Sequence, residues 1–176
     1  MDNNNIFLAN AARLRALHAA IHETLKRRKE NPAAWEDACR QFFSEYDKLA
    51  FPGGLTHALS RLKTDDPTVI EQAVRFLEAD PCYFRSGYNK VDIIRQLCRK
   101  PISSEQKKQL QQVVLQQIRG RDSREFRAYC RLAKAVADEE FYKETSELAA
   151  RSVGAVARRA QWVREHLDSE RLRQSK

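Results

Sequence analysis

Glycine and proline are scarce, with five of each in 176 residues. A sheet protein with many hairpin turns uses more of both, and a glycine-rich phosphate loop needs clustered glycines. An all-β fold and a glycine-rich nucleotide-binding fold are therefore disfavoured. No apolar run approaches the ~18 residues that a membrane-crossing helix requires, so no membrane partner is expected. The opening residues, MDNNNIFLANAARLR, place no basic leader ahead of an apolar stretch. That reads as a cytoplasmic chain without a secretory signal.

Cysteine is equally sparing. Cys39, Cys82, Cys98 and Cys130 form no C-x-x-C pair, and no histidine stands at zinc-finger spacing. Each lies beside apolar residues, which predicts buried free thiols in a reducing compartment. There is no G-x-S-x-G, no Walker loop and no dinucleotide fingerprint. No catalytic residue, cofactor or metal is expected, and the chain reads as a non-enzyme. A small helical enzyme assembled from distant residues is the weakest alternative. His18 and His22, four apart on one helix, point the same way and can share a zinc ion. Glu23 points elsewhere, so they read as helix-surface histidines. His57 and His166 stand alone.

What the chain has in quantity is charge and helical periodicity. Lysine and arginine number 32 against 24 acidic residues, a formal net charge of +8 spread along the sequence. Basic and acidic residues alternate as they do on solvated helix faces. Apolar residues recur at spacings of three and four, never in sustained alternation. The length suits one all-α domain with a real core.

Local signals divide that domain into about eight helices. A first helix is predicted over 6–29, with Leu14, Leu17, Ile21 and Leu25 as its stripe among many alanines. Asn31-Pro32 opens a second, to residue 50, with Trp35, Phe42, Phe43, Tyr46 and Leu49 inward. Pro52-Gly53-Gly54 ends it and suggests a subdomain boundary. Further helices are expected over 55–63, 67–78, 89–99 and 104–119, the last opened by a Ser103/Gln106 capping box. Asp122 with Glu125 reads as another capping box, opening a seventh helix that buries Phe126, Tyr129, Cys130 and Ala133. Asp138 opens a long eighth helix to about 167, with Gly154 as a possible bend and a frayed tail over 169–176. The stretch 148–160 is rich in small residues, as is the first helix. These terminal helices read as caps on a stack, packed on each other or on a second copy, giving a monomer or a homodimer.

Between them, over 55–168, three segments beginning at Leu55, Lys90 and Arg124 share the pattern short helix, turn, second helix. Arg61, Arg95 and Arg131 occupy comparable places, 34 and 36 residues apart. Such a period marks helical hairpins stacked so that each covers its neighbour's apolar face. The first segment resembles a HEAT repeat through Leu62, Asp66, Val69, Ala73 and Leu77. The second has Pro101-Ile102-Ser103 in place of the aspartate turn, and the third keeps Asp138. The resemblance spans the central half of the chain and is clearest in its first copy. It implies an α-solenoid of stacked antiparallel hairpins, used as a binding scaffold, with no catalytic residues.

Two clusters stand out as binding candidates. Tyr83-Phe84-Arg85-Ser86-Gly87-Tyr88-Asn89-Lys90 brings three aromatics and two cations to a helix start, where Arg85 and Lys90 can hold an anion. Its alternative role is to fill the gap between repeats. Arg124, Arg127, Arg131 and Lys134 form a cationic stripe at helical spacing. Beside Arg61, Arg95 and Arg99 they would make a basic ladder. The expected partner is a protein, and the basic residues favour an acidic one. The alternative is a nucleic-acid backbone, although no base-reading motif accompanies the ladder.

Overall fold

Helix starts in this chain are fixed by short polar side chains. Asn31 Oδ1 accepts the backbone N–H of Ala34, with Pro32 at the first helical position. Asp66 accepts from Thr68 and Val69. Ser103 and Gln106 form the reciprocal capping box, and Asp138 accepts from Phe141. Each satisfies donors that a helix leaves unpaired at its N-terminus.

The computed structural model describes residues 3–174, with side chains over 5–169. Among the described residues there are nine helices and no strand: α1 (Asn3–Lys26), α2 (Pro32–Ala50), α3 (Leu55–Lys63), α4 (Pro67–Ala79), α5 (Ser86–Leu97), α6 (Ser104–Arg119), α7 (Phe126–Val136), α8 (Glu139–Arg151) and α9 (Gly154–Gln174). The expected long eighth helix is two helices. Ser152 is extended and Gly154 has φ +61, a left-handed conformation that a residue with a Cβ adopts only at a cost. α9 runs helically to Gln174, so the tail expected to fray from 169 is helical that far. Residues 175 and 176 lie outside the described residues. No described helix is long and apolar enough to cross a membrane.

The chain divides into two compact units, residues 1–89 and 90–176. In the first, α1 packs on α2 and α4, and α3 packs on α2 and α4. Ala11, Leu14, Leu17, Phe42, Ala50 and Tyr83 form one buried cluster, flanked by Ile21, Tyr46, Leu49 and Leu55. Phe7, Phe51 and Phe76 form a second, with ring centroids 5.5–5.8 Å apart. Two expected core positions are solvent-facing: Phe43 is 70% exposed, and Leu25 is exposed near the end of α1. Pro52-Gly53-Gly54 ends α2, inside this unit. Gly54 has φ +96, and a Cβ there would stand 2.7 Å from Asp47 Oδ2. That closeness is used: the Asp47 carboxylate accepts the Thr56 N–H and hydroxyl, capping α3 in place of the side chain that glycine lacks.

In the second unit the close pairings are α6 with α7, α8 with α9, and α9 with both α6 and α7. The repeat pattern had paired α5 with α6 and α7 with α8. Breaking the long helix at Gly154 frees α9 to fold back, and α9 supplies Ala160, Val163 and Leu167 to the core. Ile94 and Val114 are buried, as the apolar spacing requires. Arg159 is 3% exposed and reaches the end of α6. Its Nε donates to the Ile118 carbonyl at 2.8 Å, while its two terminal nitrogens donate to the Gly120 carbonyl and to Asp122. The guanidinium thereby closes carbonyls that the helix leaves open, at its negative end. Asp122 is drawn into this arrangement and caps nothing. α7 starts at Phe126 after Glu125, which makes no side-chain cap. The second capping box expected from the sequence is therefore absent.

At the turn into α8, Gln111 of α6 is buried and donates to both the Val136 carbonyl and Asp138. This bond from Gln111, with the Phe141 N–H, holds the Asp138 carboxyl below its ordinary pKa. A depressed carboxyl contributes stability above the ordinary carboxylate range and loses it as pH falls through its lowered value. Asp138→Ala is expected to cost about 1 kcal/mol at neutral pH through loss of the cap. Asp138→Asn should keep most of the cap and flatten the acid limb of stability. Urea denaturation between neutral pH and the acid range checks both.

Candidate anion-binding groove

α7 owes its two faces to its sequence. Phe126, Ala128, Tyr129, Cys130, Leu132, Ala133 and Val136 are buried, while Arg127 and Arg131, four apart, fall on the exposed side. Lys134 continues the stripe and is half-buried. Across from it stand Arg95 of α5 and Arg99 of the turn that follows α5, both exposed.

Between these helices lies a groove of about 520 Å³. Its cations are Arg95, Arg99, Arg131 and Lys134; Val91 and Ala135 supply its apolar surface, with Cys98 among them and the buried Ile94 and Ala128 beneath. Arg95 is held by Asp92 of its own helix at 2.8 Å, an exposed pair of little energetic weight. Arg99 and Arg131 have no carboxylate within bonding distance among the described residues. Burial pushes the Cys98 thiol above its ordinary pKa, with Arg131 and Arg99 pulling the other way. It is thus held as a neutral thiol beside cations. Four like charges over an apolar floor make a surface that favours a negatively charged ligand with some apolar area to cover.

On the far side of α7, Arg127, Cys130 and Arg131 face Trp162 and His166 of α9 across a second cleft of about 410 Å³. Arg131 belongs to both. Burial pushes the Cys130 thiol up to about 11.

The expected ladder is assembled in part. Arg95, Arg99 and Arg131 line one groove, and Arg127 and Arg131 line the other. Arg61 lies in the first unit, where its guanidinium binds the Asp66 carboxylate. Arg124 is exposed but lines neither cleft. Lys90 is 1% exposed, so its ammonium is withdrawn from solvent and lines neither cleft. Arg85 sits at φ +67 with its guanidinium 5.6 Å from the Tyr88 ring.

The aromatic corner is divided between core and surface. Tyr83 is buried, donating to the Ala50 carbonyl and accepting from Asn89. Burial raises its phenol pKa. Phe84 and Tyr88 are exposed, and Phe84 stacks on His18 at 4.5 Å. His18 and His22 lie 4.6 Å apart edge to face, and burial and then His22 lower the His18 pKa. No group of three His, Cys, Asp or Glu among the described residues is placed to hold a metal ion. The cysteines do not share one environment: Cys130 is buried, Cys39 and Cys98 are partly so, and Cys82 is exposed. Being next to apolar residues did not bury Cys82, which sits in the loop after α4.

Sequence reasoning missed Trp162 and His166. Their spacing of four puts them on one face of α9, but only the fold-back of that helix brings the face to α7. No family model, curated protein or solved structure matches this chain.

Proposed function

We propose that this chain is a non-catalytic binding module whose partner is a protein presenting an acidic segment to the α5–α7 groove. The carrying observation is the convergence of Arg95, Arg99, Arg131 and Lys134 around an apolar floor. A segment with carboxylates flanking one apolar side chain matches both halves of that surface. The floor weighs against a bare phosphate backbone as the ligand of this groove, because a backbone leaves the apolar residues uncovered.

The HEAT-like reading belongs to the same proposal and rests on the first repeat. Leu62, Val69, Ala73 and Leu77 are all buried, and Asp66 caps α4 while holding Arg61. Those are the parts that a stacked hairpin gives to residues at these positions, and stacked hairpins commonly serve as scaffolds.

The test is fluorescence anisotropy with labelled peptides, each carrying an apolar residue between glutamates or aspartates, against single- and double-stranded oligonucleotides of similar charge. The acidic peptide is expected to bind saturably, and Arg99→Glu with Arg131→Glu to weaken it about 100-fold. Replacing the central apolar residue by serine should also weaken it. Nucleic acid binding that exceeds the peptide's and collapses between about 50 and 200 mM salt would instead establish the polyanion alternative.

A further inference from the structure

The cleft on the other side of α7 divides its chemistry between two walls. Arg127 and Arg131 supply charge from α7, and Trp162 and His166 supply rings from α9. Trp162 is 43% exposed, unusual for so large an apolar ring in a well-packed unit. It is nevertheless held in place. Phe126, buried beneath α7, lies 6.1 Å from it at 48°, and the Arg158 guanidinium lies 5.7 Å from its centroid. Arg158 is itself tied to Asp122. His166 is oriented by the contact of its Nδ1 with the Trp162 carbonyl at 2.8 Å. That carbonyl can only accept, so Nδ1 donates to it. Arg127 has no carboxylate partner among the described residues.

We propose that this cleft binds a nucleoside phosphate, with the base against Trp162 and the phosphate on Arg127 and Arg131. Three observations converge on that ligand class. The volume of about 410 Å³ lies within the range of small-molecule sites. A fixed, half-exposed indole is a stacking platform for any base. Two arginines four apart on one helix present forked donors suited to phosphate oxygens. A simple carboxylate would leave the indole uncovered, and an apolar ligand would leave the arginines unanswered. The ligand is either a free nucleotide or one residue of a single strand, since both offer a base and a phosphate. The site shares Arg131 with the α5–α7 groove, while Arg127, Trp162 and His166 take no part in that groove and tell the two apart.

Calorimetric titration of the full chain with adenosine monophosphate, adenosine, inorganic phosphate and a ten-residue oligo(dA) tests it. The monophosphate is expected to bind at least tenfold more tightly than adenosine or phosphate alone. Trp162→Ala should weaken it about tenfold or more, Trp162→Phe should retain most of the affinity, and Arg127→Gln should weaken it without altering peptide binding in the other groove. Should Trp162→Ala fail to fold, as judged by circular dichroism, the Trp162→Phe and Arg127→Gln pair still decides. Oligo(dA) binding more than 100-fold tighter than the monophosphate assigns the site to a single strand, and comparable affinity assigns it to a free nucleotide. The proposal is overturned if no nucleotide binds saturably at millimolar concentration, if phosphate binds as well as the monophosphate, or if Arg127→Gln binds like the parent.

Discussion

Replacing Arg159 by methionine should lower the unfolding midpoint of the 90–176 unit by about 15 °C. The guanidinium is buried and donates to two carbonyls at the end of α6 and to Asp122. Methionine fills much of the same space, so little of the loss comes from a cavity. What is lost is the pairing: the buried Ile118 carbonyl and the more open Gly120 carbonyl, at the negative end of a helix, would lose their shared donor. Leaving buried hydrogen-bond acceptors of a charged donor unsatisfied costs about 1–3 kcal/mol, and each kcal/mol shifts a domain of this size by about 4–8 °C. Arg159→Lys should recover less than half, because one ammonium cannot reach acceptors that a planar fork bridges. The control is the adjacent Arg158→Met. Arg158 is exposed, and its pair with Asp122 is long at 3.5 Å, so its loss should stay within about 0.5 kcal/mol. Thermal denaturation followed by circular dichroism gives the comparison, and equal losses for Arg158 and Arg159 would refute the clamp.

A second large effect is expected in the first unit. Phe51 lies just past α2 in an extended conformation and is fully buried against Phe7 of α1 and Phe76 of α4. Those two rings also meet each other edge to face. Phe51→Ala removes the member of the triad that joins the end of α2 to both helices, at an expected cost of about 3–5 kcal/mol. The comparison is Phe43→Ala. Phe43 touches Phe42 edge to face at 5.4 Å but is mostly solvated, so truncation should change stability by less than about 0.5 kcal/mol. Urea midpoints of the two variants separate the cases. A Phe43 cost approaching that of Phe51 would mean that the exposed ring packs more than its solvation allows.

These pairs show where sequence reading succeeds and where it stops. Features decided within a few residues were legible: the caps at Asn31, Asp66, Ser103 and Asp138, the stop at Pro52-Gly53-Gly54, and the cationic face of α7. All depend on local donors and acceptors or on helical spacing. Phe42 and Phe43 are chemically identical neighbours, and only the direction in which α2 packs sends one inward. Arg158 and Arg159 pose the same difficulty, since the buried one is chosen by where α6 ends, about 40 positions earlier. Asp122 satisfied a local rule for a helix cap and was claimed instead by a residue distant in sequence. Trp162 and His166 entered the candidate site for the same non-local reason. Of the ladder, Arg95, Arg99, Arg127 and Arg131 were legible as spacing. The loss of Arg61 to Asp66 and the burial of Lys90 were not, because neither shows in a count of charges.

Gly154 has empty space where a Cβ would stand. The constraint on it is therefore conformational, and its left-handed backbone is what turns the chain between α8 and α9. With only Ser152 and Val153 between the helices, a hinge this short has few other ways to reverse direction. If a side chain there favoured the straight path, α8 and α9 would merge into one rod, and the apolar stripe of Ala160, Val163 and Leu167 would be carried away from its own core. The nearest equivalent core would then lie in another molecule, which is the route by which hinge substitutions produce exchanged dimers.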